Sequence, residues 1–282
     1  MRGAQVIFTA DDFGRSTAIN QAIVQAHQRG VLTSASLMVT GEAVSEAVAL
    51  ARANPSLAVG LHVVVAEGRS VLPRGDVPHL VDGSGRFCAD PARAGLYYFF
   101  NRQARAELAQ EVRAQFERFA ASGLPLSHVD GHMHLHLHPA IFPLILSLAE
   151  QYGAYGLRLP RDDLGPALCY EPGRAGTKLL WWVAFGLLGR WCCSRLKDSH
   201  LVTTERVYGL LQTGRMAEEY VVHLLRRLRV PSAEFYFHPT LAPNSEPLGP
   251  NPGDLETLLS PVVRHTIEEV GLRLATYATL AR

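Results

Sequence analysis

The sequence contains few cysteines, and their spacing argues against a disulfide framework. Four cysteines occur in 282 residues, at Cys88, Cys169, Cys192 and Cys193, and none forms a CxxC pair. The adjacent pair cannot form an ordinary disulfide without strain. We therefore predict reduced, structural thiols, as expected of an intracellular protein.

The chain also lacks an excess of charge of either sign. It contains 27 lysines and arginines and 26 aspartates and glutamates, which gives a net charge of +1. This balance provides no general field to attract nucleic acid, and we predict no nucleic-acid partner. A glycine-rich phosphate cradle and a dense arginine cluster are missing too, which argues against a phosphoesterase.

A signal peptide is a third absence. The strand-like run at residues 5–9 begins without the basic region, apolar stretch and cleavage site of a leader. An apolar run at residues 179–188 is too short to span a bilayer. We predict a cytoplasmic protein, which would lie peripherally at the inner face of the membrane if that run meets lipid.

Short β-branched runs alternate with longer segments of helical period, the order of βα units in a parallel sheet or barrel. Strands are predicted near residues 5–9, 34–39, 57–65, 127–130, 156–159, 233–237 and 272–277, and helices near residues 16–30, 44–52, 108–119, 141–152 and 254–270. A chain of this length can form one barrel domain. We therefore predict an α/β fold, an irregular (β/α) barrel in which residues 1–282 form a single domain.

Two segments interrupt this alternation. Residues 67–100 begin with a stretch rich in Gly, Pro and Arg, and we predict a long lid loop there. Residues 165–200 contain the apolar run and are predicted to form an apolar insertion.

Polar clusters stand where three predicted strands end, the face on which β/α barrels assemble active sites. They are Ala-Asp-Asp-Phe-Gly at residues 10–14, Gly-Leu-His at residues 60–62, and a histidine-rich run at residues 128–138. One carboxylate and two imidazoles would make a three-ligand metal site with open positions for water and substrate. Neighbouring strand residues point to opposite sides, so Asp11 needs a bend to share the cavity of Asp12 and act as a general base.

Each cluster also has a purely structural interpretation. Asp11 and Asp12 are compatible with a turn and a helix cap, and His62 with a hydrogen-bonded histidine of the core. The histidine run is harder to explain in this way. His132, His134, His136 and His138 are predicted to share one strand face, where buried imidazoles need partners.

Further candidates complete the predicted site. His238 follows a late apolar strand and is a candidate general acid for the departing amine, or else a residue that hydrogen-bonds a loop. Asp130, His134, Arg158 and Arg161 are candidates for binding substrate or for orienting the catalytic groups.

The three motifs together resemble the YdjC-like carbohydrate deacetylases over nearly the whole chain. The resemblance implies a barrel of the glycoside hydrolase/deacetylase type that hydrolyses an N-acetyl group from a sugar. It implies that Asp12, His62 and His132 hold one divalent metal ion, magnesium or zinc, which the sequence does not distinguish. It also implies that Asp11 is the base, and the late His-Pro histidine of the family matches His238. Gly131 and Met133 depart from the commonest Ser and His, so no role can be transferred to position 133.

A closer similarity is to the hopanoid-biosynthesis branch of this family, carried by residues 176–182 and 208–216. It implies an N-acetylglucosaminyl hopanoid as substrate. The run from Leu179 to Leu188 contains Trp181 and Trp182 between basic residues, a composition that suits a peripheral membrane contact. A buried helix or a homodimer contact fits the same run equally well.

Two other functions are compatible with the pattern. The same chemistry could act on a soluble chito-oligosaccharide, with residues 179–188 serving only packing or dimerisation. The chain could also be a non-catalytic, metal-dependent protein that binds a sugar or a lipid. The presence of both a base candidate, Asp11, and an acid candidate, His238, argues against this last interpretation, since binding needs neither.

Overall fold

A parallel β-sheet forms the centre of the computed structural model, which describes residues 3–243 and 248–281. Its strands are β1 (Gln5–Phe13), β2 (Ser34–Leu37), β3 (Ala58–Val63), β4 (His128–Gly131), β5 (Gly156–Leu157), β6 (Arg206–Tyr208), β7 (Ser232–Phe237) and β8 (Arg273–Leu274). They follow the order β5-β4-β3-β2-β1-β7-β6, and β8 pairs with the beginning of β1. Every pair is parallel, so the strand ends that carry the polar clusters meet at one edge.

Backbone hydrogen bonds link each of the two outer strands, β5 and β6, to the segment next to the other one, so the sheet curls into a barrel. The amide of Leu157 in β5 donates to the carbonyl of Val202 at 3.0 Å, and the amide of Val207 in β6 donates to Arg161 at 3.3 Å. The chain around β5 therefore lies beside the chain that leads into β6. The predicted irregular (β/α) barrel is confirmed.

Helices pack around the sheet and bury one face each. They are α1 (Thr17–Arg29), α2 (Val44–Ala53), α3 (Pro91–Phe100), α4 (Arg102–Ala121), α5 (Phe142–Gln151), α6 (Leu164–Tyr170), α7 (Ala175–Cys193), α8 (Glu218–Arg227), α9 (Pro252–Leu259), α10 (Pro261–Val270) and α11 (Tyr277–Leu280). The one helix predicted near residues 254–270 is two, because Pro261 has no amide hydrogen and starts a new helix that Ser260 caps.

The histidine run does not extend β4, so the prediction of one shared strand face for its histidines is wrong. The strand ends at Gly131, and an irregular helical turn follows at His132–Leu137. Met133 and His134 adopt left-handed backbone angles, with φ of 53° and 56°. A Cβ at Gly131 would lie only 2.9 Å from the Cβ of His136, so this tight turn requires glycine.

The predicted loop at residues 67–100 is a loop only in its first part. Helix α3 forms the remainder, and it starts where Asp90 caps the amides of Ala92 and Arg93 ahead of Pro91. The loop itself is anchored to α4, where buried Glu111 accepts hydrogen bonds from the amides of Val71 and Leu72. Its role as a lid remains a prediction.

The predicted apolar insertion at residues 165–200 consists of α6 and α7. Helix α7 begins at Ala175 and ends at Cys193, and most of its apolar side chains are only partly buried. Among the described residues, no helix is both long enough and apolar enough to cross a membrane. The single-domain boundary at residues 1–282 remains a prediction, and its positions 1–2, 244–247 and 282 lie outside the described residues.

Candidate metal centre

The end of β1 brings two neighbouring aspartates to the same cavity. The register between β1 and β2 shifts between Ala10 and Phe13, and Asp12 adopts a left-handed φ of 65°. This bend overrides the alternation of side chains along a strand. Asp11 and Asp12 are both buried at the mouth of the barrel, which is the arrangement that a shared site requires.

Asp12, His62 and His132 converge at the ends of β1, β3 and β4. The Oδ1 atom of Asp12 lies 3.6 Å from Nε2 of His62 and 3.3 Å from Nδ1 of His132. One ligand atom from each residue fits within a group of atoms that all lie within 4.8 Å of one another. Among the described residues, buried Oδ1 of Asp12 has no hydrogen-bond partner, so the site offers an unsatisfied oxygen to a cation. The donors fit the expected divalent metal ion.

The electrostatics of this group also favour a cation. Burial alone would lower the pKa of His62, but Asp130, which is hydrogen-bonded to it, raises that pKa to about 9, with Asp11 and Asp12 adding to the effect. Burial opposes ionisation of Asp12, yet His132 and His62 hold its pKa well below the usual value. The surroundings that favour a proton on His62 favour a metal ion for the same reason.

Asp130 orients His62 through the ring nitrogen that does not face Asp12. Its Oδ1 lies 2.8 Å from Nδ1 of His62, which leaves Nε2 facing Asp12. Its Oδ2 accepts a hydrogen bond from Ser36 at 2.7 Å and contacts Arg158 at the same distance. A carboxylate on the far nitrogen of a metal-binding histidine fixes its tautomer and ring orientation.

Arg158 lies at the centre of a buried group of charges. Its guanidinium forms two hydrogen bonds with Asp11, at 2.7 and 2.9 Å, and it also contacts Asp130 and Glu234. Asp11, His62 and Asp130 form a second group of potential metal ligands. There the guanidinium already pairs with both carboxylates, so the group that contains Asp12 is the better candidate for a metal ion.

His238 lies close to the Asp11 carboxylate that Arg158 also contacts. Its Nε2 is 4.0 Å from Oδ2 of Asp11, and its amide donates to Asp254 at 2.8 Å. The Nδ1 atom is buried and has no hydrogen-bond partner among the described residues. The predicted base and acid therefore lie close together, beside the candidate metal ligands.

The remaining candidates occupy different positions. His134 contacts the hydroxyl of Tyr236 through Nε2 at 2.9 Å, and burial holds its pKa well below the usual value. Arg161 lies outside this group and contacts the Sγ atom of Cys193, in a cavity of about 530 Å³ beside α7. Arg158 is fully buried, which suits the orienting role more than direct contact with substrate. Their roles in substrate binding remain predictions.

Sequence reasoning missed several residues that complete the site. Glu234 accepts hydrogen bonds from Thr9 and Tyr277, both at 2.6 Å, while it pairs with Arg158. Ser36 supports Asp130, as described above. A single charged residue inside the apolar strand of residues 232–237 was the available signal for Glu234.

Comparison with known proteins agrees with this geometry. Residues 5–269 match the family described as YdjC-like protein. A carbohydrate deacetylase of Brevibacillus brevis is 47% identical over 167 residues, which cover 57% of this chain and 64% of that protein. A chitooligosaccharide deacetylase of Serratia marcescens is 36% identical over 165 residues, 56% of this chain and 60% of that protein. These matches span less than two thirds of either relative.

A solved structure extends the similarity to the complete fold. It is an Enterococcus faecalis V583 protein whose name refers to cellobiose-phosphate cleavage, 26% identical, with a TM-score of 0.77. The superposition covers 99% of this chain and 100% of the other. The family match covers most of the sequence and includes all three candidate metal ligands. This chain belongs to the YdjC-like protein family.

Proposed function

We propose that this protein is a metal-dependent hydrolase that removes the acetyl group from an N-acetylated amino sugar. The observation that carries the proposal is the position of Asp11 and His238. Both lie beside the three metal-ligand candidates, with Asp11 Oδ2 4.0 Å from His238 Nε2. The names of the Brevibacillus and Serratia relatives support the same activity.

The side chains can divide the reaction between them. A divalent ion held by Asp12, His62 and His132 would polarise the acetamide carbonyl and lower the pKa of a water molecule. Asp11 accepts the proton as the water oxygen bonds to the acetyl carbon, and Arg158 stabilises the carboxylate before that transfer. His238 then donates a proton to the nitrogen as the carbon–nitrogen bond breaks. Acetate and a free amino sugar leave.

The first experiment measures acetate release by metal-reconstituted protein from N,N′-diacetylchitobiose and from an N-acetylglucosaminyl hopanoid. Removal of the metal with a chelator should abolish release, and added zinc or magnesium should restore it. Asp11→Asn serves as the inactive control. Release that is unaffected by the chelator would refute the metal-dependent mechanism, and no release by metal-loaded protein from either compound would favour the non-catalytic binding protein.

For the substrate, we propose the lipid-linked sugar, N-acetylglucosaminyl hopanoid. Two helices beside the site expose apolar side chains to solvent. The exposed residues are Leu96, Phe99 and Phe100 of α3 and Leu179, Leu180, Trp182, Val183 and Leu187 of α7. Exposed apolar patches of this extent mark surfaces that bind a partner.

Both helices flank the turn that begins at His132. Phe185 of α7 contacts His134 at a ring distance of 5.6 Å, and Phe99 of α3 contacts His138 at 6.1 Å. The two apolar surfaces therefore lie near the mouth of the barrel. Phe100 is 74% exposed and Leu180 is 65% exposed, so neither side chain contributes much to the core.

The charges around these helices fit an anionic lipid surface. Neither α3 nor α7 contains an acidic residue, and exposed Arg93, Arg102 and Arg190 lie within or next to them. Aromatic and aliphatic side chains beside arginines are typical of segments at a membrane interface. We therefore propose a peripheral membrane contact through residues 179–188, extended by α3.

Binding to vesicles that contain anionic lipid tests this contact. Phe100→Glu with Leu180→Glu should abolish co-sedimentation, whereas Leu274→Glu on β8, at the other end of β1, should not. Equal co-sedimentation of both variants would contradict the proposal. If the protein does not bind vesicles but releases acetate from chitobiose, a soluble chito-oligosaccharide is favoured as the substrate. Concentration-dependent self-association through α7 would favour a homodimer contact instead.

A further inference from the structure

We propose that Glu67 is a positioning residue for the metal ligand His132, an inference that rests on the metal-dependent function proposed above. Its carboxylate occupies the side of the imidazole that faces away from Asp12. Nδ1 of His132 lies 3.3 Å from Oδ1 of Asp12, and Nε2 lies 3.8 Å from Oε2 of Glu67. Glu67 is thus the carboxylate next to Nε2, the ring nitrogen of His132 that does not face Asp12.

The His132 side chain needs such a partner. Its Nε2 is buried and makes no hydrogen bond within the part of the chain that the structure describes. An unsatisfied buried nitrogen is costly, and a proton on Nε2 would be free to bond the nearby carboxylate. That proton would keep Nδ1 unprotonated and available to the metal, because a neutral imidazole carries only one proton.

The second candidate histidine ligand, His62, has the same arrangement, and there the hydrogen bond to the supporting carboxylate is formed. Asp130 lies 2.8 Å from Nδ1 of His62, and the other nitrogen of that ring faces Asp12. Each of the two imidazoles therefore has Asp12 on one side and another carboxylate on the other. Asp130 is fully buried, whereas the Glu67 side chain is 33% exposed, so Glu67 is the partner that can move.

The backbone holds Glu67 at this position at some cost. Its φ of 50° lies in the left-handed region, which is unfavourable for a residue with a long side chain. Glu67 also begins the neck of the loop: its amide donates to Cys88 at 3.0 Å, and the amide of Phe87 donates to Gly68 at 2.9 Å. Movement of the loop would therefore change the support of His132.

Glu67 does not act as a fourth ligand in this arrangement. Among the described residues, the groups of potential ligand atoms that lie within 4.8 Å of one another include Asp12, His62 and His132, but not Glu67. Its carboxylate reaches the imidazole and not the centre of the group. The role follows from the contact with His132 alone.

The test is a calorimetric titration of metal-free protein with zinc ions. Glu67→Gln keeps the size and an acceptor oxygen but removes the charge, and Glu67→Ala removes both. We expect zinc affinity to fall roughly 10- to 100-fold in Glu67→Ala and by less in Glu67→Gln. Glu42→Gln is the matched control, because Glu42 lines the same cavity as Glu67 and should bind zinc normally.

Deacetylation assays at increasing zinc concentration separate positioning from other roles. Excess zinc should restore most of the activity of Glu67→Gln, with KM for the sugar unchanged. Normal zinc affinity in both Glu67 variants would overturn this inference, as would a raised KM with unchanged zinc affinity. If wild-type protein binds no zinc or magnesium, the metal-dependent function itself fails, and that result is distinct from a failure confined to Glu67.

Discussion

Arg158 and Asp11 form a bidentate ion pair inside the barrel, with nitrogen–oxygen distances of 2.7 and 2.9 Å. The same guanidinium contacts Asp130 and Glu234, so one cation forms ion pairs with three carboxylates. Burial would lower the pKa of Arg158, but these carboxylates raise it well above its ordinary value. The two hydrogen bonds from Arg158 therefore hold the candidate base in a fixed orientation before substrate arrives.

Replacement of Arg158 by methionine should destabilise the fold strongly. Three carboxylates would remain buried without their cation, and removal of one partner of a buried pair costs roughly 3–5 kcal/mol. Urea denaturation measures the loss in the free energy of unfolding. Arg226→Met, which breaks the exposed pair with Glu269, should change that energy by no more than about 1 kcal/mol. Similar losses in the two variants would contradict the structural role of Arg158.

Asp11→Asn should abolish turnover while the protein still binds metal. The amide cannot accept the proton of the attacking water, and loss of a general base reduces rates roughly 100- to 10,000-fold. Its oxygen can still accept a hydrogen bond from Arg158. The measurements are kcat for acetate release and zinc affinity by calorimetry. Substantial activity in this variant would assign the base to another residue.

His238→Ala should impair reactions whose leaving group needs a proton. We expect kcat for an acetylated amino sugar to fall roughly 100-fold or more, since the amine departs only after protonation. With p-nitrophenyl acetate, whose leaving group departs without a proton, the loss should be much smaller. Equal losses with the two substrates would show that His238 does not act as the general acid.

Asp162 should make stability depend on pH. It is buried, and burial raises its pKa to about 7 despite hydrogen bonds from the amides of Leu211 and Gly209. The ordinary pKa of an aspartate is about 4. Between about pH 4 and pH 7 the folded protein therefore keeps a proton on Asp162 that the unfolded chain has lost. The free energy of unfolding falls as pH rises through this window. Asp162→Asn should remove that dependence. Relative to wild type, the free energy of unfolding of the variant should rise by roughly 2–3 kcal/mol between pH 5 and pH 8.

Urea denaturation of wild type and Asp162→Asn at several pH values measures this difference. Above pH 5 the unfolding free energy of the variant should rise increasingly above that of wild type. Above about pH 8 the two curves should run parallel. Parallel curves across the whole range would show that Asp162 titrates normally in the folded protein.

Local patterns in the sequence were enough to predict the class of fold and the positions where chemistry could occur. Alternating β-branched and helical segments indicate a βα barrel, because the two periodicities are local properties of the chain. Polar clusters at the ends of three parallel strands must meet at one edge of the sheet. The clusters that contain Asp12, His62 and His132 could therefore be predicted to meet, and the resemblance to the YdjC-like deacetylases implied these three residues as the ligands.

The way in which these side chains are held depends on contacts between distant segments of the chain. The partners of Arg158 come from Asp11, Asp130 and Glu234, and no local pattern links such distant positions. The left-handed backbone at Met133 and His134 turned the histidine run away from a strand, because close packing of Gly131 against His136 overrides the alternating pattern. The contact between Glu67 and His132 likewise joins two segments that are far apart along the chain, and no local pattern predicts it. Periodicity along the sequence can place a residue on an element, whereas contacts between elements decide which of its atoms are free to act.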